Sequence, residues 1–465
     1  MVSSQGVFSI PGICALIFFI LARPQEFMEE LQRLPLLNLF ALAAVAGFVI
    51  DLKLRRLEPV PVPTFKWACM FLGWAAICDA VKTPDQFTGR AFELVIIFIL
   101  FATTAHAVQR LRTLEIVAGT VMLTCVFLAV VCVHQGLQDR TCVAIDEVHP
   151  GEGYPDGRPC EMADVCYGQE AEPGAEYRCE KVGLFGTYSI EDRVRYRGDL
   201  HDPNELSMAV CAGGLSFLIA MALRRRSTGA TLLAIVGSLA IGWCILLTQS
   251  RGGMLVYLII VAAYFIRRTG WTGVAIGALL AGPAAAFALG SRSGAAADMS
   301  TQLRYEAWAA GLEMFKSSPL FGVGHRMFGE VHYMTAHNSY VLTLAELGMP
   351  GMFLFICLLV LTIKMLWRGV VDLREVPGSE PAQIWGIALL GSFAAIAFQI
   401  LTLSFAYHCV LWIMFGLAGA WWSAVRTHKP DFDVRLTARD LLFIGVGCLA
   451  FVFLILPVFL RFKGA

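Results

Sequence analysis

Apolar runs long enough to cross a lipid bilayer recur from one end of the chain to the other, and this feature constrains the fold most. A transmembrane helix needs about 20 predominantly apolar residues. The runs lie near residues 6–22, 34–51, 67–81, 91–108, 113–134, 205–223, 229–249, 252–266, 271–290, 339–363, 383–403, 409–425 and 441–460. Each run predicts a helix, because unpaired backbone amides are too costly in lipid. The sequence therefore predicts an all-α polytopic membrane protein with about 12–13 transmembrane helices.

The composition supports this class. Of the 465 residues, 57% are hydrophobic and 15% are charged, whereas soluble domains average about 25% charged residues. Lys plus Arg and Asp plus Glu are equal at 36 each, so no basic excess points to a nucleic-acid partner. The first run is predicted to be a span rather than a signal peptide, because its leader carries no positive charge. Membrane lipids are the expected surroundings of the chain.

The distribution of positive charge predicts the orientation. Clusters such as Arg55–Arg56 and Arg224–Arg226 place the N-terminus in the cytoplasm by the positive-inside rule. Two long loops then lie outside the cytoplasm, and we expect the chemistry there, because loops of this length are uncommon unless they are functional or disordered. The predicted parts are five N-terminal helices (1–134), the first long loop (135–204), central helices (205–290), the second long loop (291–338) and C-terminal helices (339–465).

Four of the 14 cysteines share the first long loop: Cys142, Cys160, Cys166 and Cys179. An even number of cysteines in one extracytoplasmic loop predicts two disulfides, with three possible pairings. A zinc site is the alternative, but the spacings contain no compact Cys-x-x-Cys pair. We therefore expect disulfides that hold this polar, Gly- and Pro-rich loop in shape.

The same loop ends in a segment with arginines at alternate positions: Arg193, Arg195 and Arg197. Asp202 and Pro203 follow, and they predict the N-cap and the first residue of the next helix. Arginines directly outside a membrane bind either lipid headgroups or a phosphorylated substrate. The sequence leaves both interpretations open.

A very short connection, Thr248–Met254, joins two of the central spans. Ser250 with Gly252 and Gly253 predicts a tight turn between helices. Arg251 lies in this turn, beside exposed backbone amides and ahead of a helix N-terminus, which together favour an anion site. Contact of Arg251 with lipid headgroups is the alternative interpretation.

The second long loop predicts an amphipathic interfacial helix over residues 300–316. Its apolar face would carry Tyr305, Trp308, Leu312 and Phe315. Arg304 lies four residues before Trp308 and therefore on a neighbouring position of the same face. Ser317-Ser318-Pro319 is expected to end the helix.

His337 and Glu346 lie at the start of the tenth span. A helix N-terminus disfavours a charged imidazole, which leaves His337 available as a base near pH 7. Glu346 needs a cationic or hydrogen-bonding partner within the membrane, and we expect it to orient an arginine. Gly348 and Pro350 predict a kink whose freed carbonyl groups also need partners.

Together these motifs resemble those of the O-antigen ligase and O-antigen polymerase superfamily, which are bacterial envelope glycosyltransferases. The matching segments are Arg23–Glu26, Asp202–Glu205, Thr248–Gly253, Arg304 with Trp308, Gly322–Gly324, His337–Tyr340 and Glu346–Gly348. The resemblance implies a GT-C-like fold of about twelve helices in the bacterial inner membrane, with a periplasmic active site. It also implies a reaction on a glycan linked to undecaprenyl diphosphate, without a metal or other cofactor. The four-cysteine loop and the thirteenth span depart from the family pattern.

The resemblance also implies roles for individual residues. Arg251 and Arg304 would hold the diphosphate, and His337 would act on the acceptor hydroxyl. The further residues predicted to bind substrate are Arg193, Arg195, Arg197, Asn204, Trp308, Asn338 and Glu346. Arginines at the diphosphate would stabilise the leaving charge, and a neutral imidazole acting as a base is worth about 10²–10⁴-fold.

The acceptor is a glycolipid or another glycan, and the sequence leaves several activities open. A ligase moves the glycan to a different acceptor, whereas a polymerase joins lipid-linked repeats to one another. A protein O-oligosaccharyltransferase is a third version, since the disulfide-stapled loop suits a protein acceptor. A secondary transporter is the weakest alternative, because ionisable residues within the spans are nearly absent apart from Glu346 and His106.

Overall fold

The structure is a computed structural model that describes residues 7–145, 153–168, 171–172, 174–262, 264, 270, 272–273, 275 and 294–464. The longer elements are α1 (Ser9–Ala22), α2 (Leu36–Lys53), α3 (Phe65–Lys82), α4 (Phe87–Ala107), α5 (Leu111–Gly136), β1 (Arg140–Ile145), β2 (Gly153–Pro159), β3 (Tyr177–Lys181), α6 (Pro203–Arg225), α7 (Thr228–Thr248), α8 (Arg251–Ala262), α9 (Gly294–Ser317), α10 (Ser339–Asp372), α11 (Glu380–Gln399), α12 (Cys409–Arg426) and α13 (Ala438–Lys463). Short helical turns, among them Glu29–Gln32 and Phe328–Val331, lie between them.

The predicted class, an all-α polytopic membrane protein, is confirmed. Within the described residues, nine helical segments are long and apolar enough to cross a membrane, and α1 and α8 are shorter apolar helices. The third predicted span corresponds to α3, which carries Lys66, Asp79 and Lys82 near its ends and is not one of these nine segments. The predicted span 271–290 lies outside the described residues apart from 272, 273 and 275.

The chain divides into two compact units. The first consists of Met1–Cys14, Phe40–Val117 and Arg292–Ala465, and the second of Ala15–Leu39 and Ala118–Ser291. In the first unit, α12 is buried along nearly its whole length and packs closely against α4. A Cβ atom added at Gly416 would lie 2.8 Å from Thr104 Cβ, so a small residue is needed for this close approach.

In the second unit, α5 packs against the middle of α6. There Val210–Leu215 forms one π-helical turn that is buried throughout. A Cβ atom at Gly213 would come within 2.7 Å of a methyl group of Val121. The helices therefore approach through small residues, as is common between membrane helices.

The first long loop contains a small antiparallel sheet that hydropathy did not predict. The strand order is β2-β1-β3, and Cys142 lies opposite Cys179 in the β1–β3 register. The two predicted disulfides are present as Cys142–Cys166 and Cys160–Cys179. They surround Tyr177 in a small buried core. Three of the sulfurs lie within 4.8 Å of one another, but they are bonded in disulfides and are not thiolate ligands for zinc.

Candidate functional site

The predicted site residues fall in both units. The first unit contains Arg304, Trp308, His337, Asn338 and Glu346, and the second contains Arg193, Arg195, Arg197, Asn204 and Arg251.

In the first unit, α9 presents the predicted aromatic face, and it packs against α13. The Tyr305 and Trp308 rings lie 5.3 and 5.8 Å from the ring of Phe459, and Phe315 lies 6.3 Å from Phe453. The helix ends at Ser317, as predicted, and its start at Gly294 is earlier than predicted. The apolar face of the amphipathic helix is therefore covered in part by the last helix of the chain.

Trp308 connects α9 to the backbone beside His337. Its indole Nε1–H donates to the carbonyl oxygen of Ala336 at 2.9 Å. Arg304 lies one helical turn earlier on the same helix, and both side chains are half-buried. Trp308 is thus placed to fix the position of the residue next to His337.

His337 precedes the helix and does not cap it. Its backbone is left-handed, with φ 45°, a conformation that costs a residue with a side chain about 1–2 kcal/mol. Asn338 is the N-cap, and its Oδ1 accepts hydrogen bonds from the amides of Tyr340 and Val341 at 3.0 and 3.1 Å. The half-buried His337 is therefore held at the mouth of α10 by a fixed backbone.

The start of α10 is also bonded to the loop between α11 and α12. The amide of Ser339 donates to the carbonyl oxygen of Ile400 at 2.8 Å. Its hydroxyl donates to the carbonyl of Leu403 at 2.7 Å and accepts from the amide of Phe405 at 2.8 Å. These bonds compensate for the strained backbone at His337, two residues earlier.

The predicted kink in α10 is present at Gly348, whose φ is 68°, ahead of Pro350. The freed carbonyl groups have partners, as expected. Ala345 and Glu346 accept from the amides of Val323 and Gly324, each at 3.0 Å. The next carbonyl, that of Leu347, accepts from the indole of Trp74 at 2.9 Å.

Glu346 is 1% exposed. Its Oε1 accepts from the amide of Phe328 at 3.1 Å. The expectation that Glu346 orients an arginine stays a prediction, because its hydrogen bond within the described residues goes to a backbone amide of the second long loop. The kinked helix and the loop therefore share a buried polar contact.

A buried polar cluster beside this kink was missed by the sequence reasoning. The amide of His325 donates to Asp79 Oδ1 at 2.7 Å, and its Nδ1 lies 3.3 Å from Asp79 Oδ2. Both side chains are fully buried, and the edge of Tyr407 lies 4.3 Å from the imidazole, centroid to centroid. Burial lowers the pKa of His325, although hydrogen bonding to Asp79 opposes this effect. The imidazole is therefore neutral near pH 7.

Two arginines that the sequence did not single out lie next to this cluster. Arg90 donates to the carbonyl oxygen of His325. Arg326 is exposed and pairs with Glu93 at 3.1 Å. Together with Gln86 they border a shallow cavity of about 430 Å³. In sequence, Arg90 sits in an apolar helix and gives no sign of this contact.

In the second unit, Arg193 is the one of the three alternate arginines that reaches the short connection before Arg251. Its Nε donates to the carbonyl oxygen of Thr248 at 2.9 Å, and its Nη2 donates to Asn204 Oδ1 at 3.2 Å. Asn204 follows Pro203 at the start of α6, where Asp202 is the N-cap as predicted. Three separate sequence motifs are thus brought together.

The predicted turn is built differently from expectation. Gln249, with φ 50°, takes the left-handed position, and Gly252 and Gly253 lie inside α8. Ser250 caps that helix by accepting from the amide of Gly253 at 3.1 Å. Glycine is needed there for close packing, since a Cβ atom at Gly253 would lie 2.4 Å from Ser207 Oγ. Arg251 begins α8 and is exposed.

Arg195 and Arg197 have contacts of a different kind. Arg195 is 5% exposed, lies over the ring of Tyr188 at 4.3 Å and donates to the Tyr188 carbonyl at 3.1 Å. Burial lowers its pKa, while Tyr188 and Glu180 oppose this effect. Arg197 donates to the carbonyl of Phe185. Both guanidinium groups bond within the loop, whereas Arg193 reaches the connection that precedes Arg251.

The motif Arg23–Glu26 packs on this same segment. Arg23 pairs with Asp199 at 3.1 Å, and its guanidinium lies over Gly198, where a Cβ atom would be only 2.1 Å away. The hydroxyl of Tyr196 donates to the carbonyl of Ala22 at 2.6 Å. This motif therefore supports the arginine segment structurally.

The helices and the polar groups at their ends define a multi-pass α-helical membrane protein whose polar side chains gather at helix mouths and long loops. Residues 236–356 match the family model described as O-antigen ligase. The match covers about a quarter of the chain and agrees with the resemblance of the sequence motifs to that family. A comparison with curated proteins found no match.

Proposed function

We propose that the protein is an O-antigen ligase-type glycosyltransferase of the bacterial inner membrane. It moves a glycan from undecaprenyl diphosphate to an acceptor hydroxyl at the periplasmic face. The observation that carries this proposal is the family match itself, because the matched residues 236–356 include Arg251, Arg304 and His337. The donor, the acceptor and the roles of these residues belong to the proposal.

The arginines act on the leaving group. When the acceptor oxygen attacks the anomeric carbon, the bond between that carbon and the diphosphate breaks, and undecaprenyl diphosphate leaves with the electron pair. Arg251 and Arg304 stabilise this developing negative charge, with Arg193 beside the turn that carries Arg251. Guanidinium groups suit this task because they form paired hydrogen bonds with phosphate oxygens.

His337 acts as the base. It accepts the proton of the attacking hydroxyl and later releases it to water. Its fixed backbone, bonded on one side through Trp308 and Ala336 and on the other by the Asn338 cap, supports this role. A base held in one position costs little reorganisation when the acceptor arrives.

The test is transfer by the purified protein between a lipid-diphosphate glycan and an acceptor, with a chelator present. We expect His337→Ala to lower the rate by about 10²–10⁴-fold, because the proton then has no base. The matched control is His332→Ala in the same loop, whose Nδ1 lies 2.9 Å from the Met334 carbonyl. It should retain the wild-type rate. Near-normal transfer by a folded His337→Ala variant would refute the assignment.

Arg251→Lys and Arg304→Lys belong to the same assay. Both should be strongly impaired, because lysine cannot form the two parallel hydrogen bonds that a guanidinium makes with phosphate. Arg158→Lys, in the disulfide-bonded loop, is the control and should be active.

A polymerase or a protein O-oligosaccharyltransferase would use the same donor and the same arginines. The cell-surface glycan of a deletion strain separates the ligase from the polymerase. Loss of attached polymer while chains still grow supports a ligase, whereas single-repeat products indicate a polymerase. Ion-driven transport in liposomes without any glycan product would instead indicate a secondary transporter.

A further inference from the structure

A second cavity lies at the other end of the helices that carry the buried polar cluster in the first unit. It has a volume of about 600 Å³ and is bordered by the start of α3, the end of α12 and the loops next to them. We call it the basal cavity, lined by residues 60–63, 65–67, 106, 361, 422, 426 and 430–435. Asp79 lies at the opposite end of α3, about 20 Å along the helix at 1.5 Å per residue. The positive-inside rule predicts that the basal cavity faces the cytoplasmic leaflet.

Both loops around the basal cavity are held in place. The amide of Glu58 donates to the Gln109 side chain at 3.2 Å, and that side chain donates back to the Glu58 carbonyl. On the other loop, Lys429 pairs with Asp372 at 2.7 Å, and Lys364 pairs with Asp440 at 2.5 Å. The cavity is therefore preformed, which lowers the entropy cost of binding a ligand.

The lining combines cations with indole rings. Lys66 lies 5.6 Å from the ring of Trp67, and the Arg426 guanidinium lies 4.9 Å from the ring of Trp422. Arg435 adds a third cation and pairs with Asp433 at 2.7 Å. Asp431 also borders the cavity and offsets part of this charge. Cations and tryptophans at a membrane boundary are typical of contacts with lipid headgroups.

Two tryptophans, Trp67 and Trp422, form part of the cavity wall. Trp67 is 7% exposed and Trp422 is 1% exposed. Neither indole N–H has a hydrogen-bond partner among the described residues. Both indole nitrogens are themselves buried, so the rings of these tryptophans, and not their N–H groups, form part of the cavity wall.

We propose that the basal cavity binds the phosphodiester headgroup of a membrane phospholipid. Its phosphate oxygens accept from Lys66, Arg426 and Arg435, and its acyl chains leave along apolar lining residues such as Phe65 and Leu361. A lipid is favoured over a free phosphate ester because the apolar part of the lining would otherwise face water. This inference does not depend on the proposed glycan transfer.

The test uses the protein in detergent and three probes that differ in whether they carry the phosphate group, the acyl chains or both. Phosphatidylglycerol carries both the phosphate and the chains, diacylglycerol carries only the chains, and glycerol 3-phosphate carries only the phosphate. Native mass spectrometry should show tight binding of phosphatidylglycerol alone. Equal binding of diacylglycerol would refute phosphate recognition, and equally tight binding of glycerol 3-phosphate would refute a lipid site.

Variants locate the binding. Lys66→Gln combined with Arg426→Gln should weaken phosphatidylglycerol binding about 30-fold, at about 1 kcal/mol for each removed cation. The matched control is Arg368→Gln, which is exposed and does not line the cavity. It should bind like the wild type.

If the double variant does not fold, Arg435→Gln decides the question, because this side chain is 81% exposed and its loss should not affect folding. It should weaken binding about fivefold. Unchanged binding in a folded Lys66/Arg426 or Arg435 variant would overturn the proposal.

Discussion

At the scale of single residues, two histidines of the second long loop have opposite environments. His337 is half-buried at the mouth of α10, where a substrate could reach it. His325 is fully buried between Asp79 and Tyr407. The proposed base is therefore the more exposed of the two imidazoles, and His325 belongs to the buried cluster with Asp79 and Tyr407.

The buried His325 predicts a pH dependence of stability. Its pKa in the folded protein is lowered from 6.5 by burial, with Asp79 opposing the shift. The contribution of His325 to the free energy of unfolding is therefore fully present above pH 6.5. It is lost as the pH falls below 6.5, because the unfolded chain then binds a proton more readily than the folded protein. The apparent unfolding temperature of the purified protein should fall below pH 6.5, and His325→Gln should reduce this fall.

His332→Gln serves as the comparison for that measurement, since His332 is half-buried in the same loop. It should keep the pH profile of the wild type. A His325→Gln variant with an unaltered profile would show that the buried imidazole does not control the acid sensitivity.

At the scale of elements, the kink of α10 and the segment before His325 depend on each other. The segment donates two amides to carbonyl groups of the kinked helix. Gly322, with φ 62°, permits this approach, because a Cβ atom there would lie 2.3 Å from the carbonyl carbon of Glu346. A backbone carbonyl cannot move aside as a flexible side chain can.

Gly322→Ala should therefore destabilise the protein by about 2 kcal/mol or more, from the left-handed backbone and the contact together. Thermal unfolding followed by tryptophan fluorescence measures the change. Gly329→Ala is the matched control, because nothing lies within 4 Å of its added Cβ atom and it sits in a short helix. Equal unfolding temperatures for the two variants would contradict this account of the kink.

At the scale of the whole molecule, the helix order assigns the loops to two sides of the membrane. Ser339, at the start of α10, bonds to the loop that contains Tyr407, whereas the basal cavity lies at the other ends of the helices. If the N-terminus is cytoplasmic, as the positive-inside rule predicts, the start of α10 faces the periplasm. The polar groups at the start of α10 would then lie on the opposite side of the membrane from the proposed lipid site.

Labelling of single introduced cysteines tests this orientation. Glu330→Cys and Asp433→Cys replace exposed residues near the two opposite ends. In intact spheroplasts, a membrane-impermeant maleimide should label Glu330→Cys, and it should label Asp433→Cys only after permeabilisation. The protein without an introduced cysteine gives the background. The reverse pattern would invert the topology and remove the periplasmic site.

Part of the candidate site could be predicted from the sequence, because caps, breaks and ends of helices depend on neighbouring residues. Asp202 as a cap, the break at Gly348 and Pro350, and the end of α9 at Ser317 each follow from the residue type and its immediate neighbours. The turn before Arg251 was misassigned, since Gln249 rather than a glycine took the left-handed position. Gly253 lies instead inside α8, where its lack of a side chain allows close packing against Ser207.

The sequence by itself determined that this is a multi-pass helical membrane protein, where most helices run, and that four loop cysteines pair. These properties follow from hydropathy and composition over short windows, which the bilayer makes decisive. Only the tertiary structure decided which cysteines pair, that Arg195 is buried on Tyr188, and that Asp79 meets His325 across 246 positions of chain. Such contacts depend on how segments far apart in the chain pack against one another, and no local pattern of residues specifies this packing.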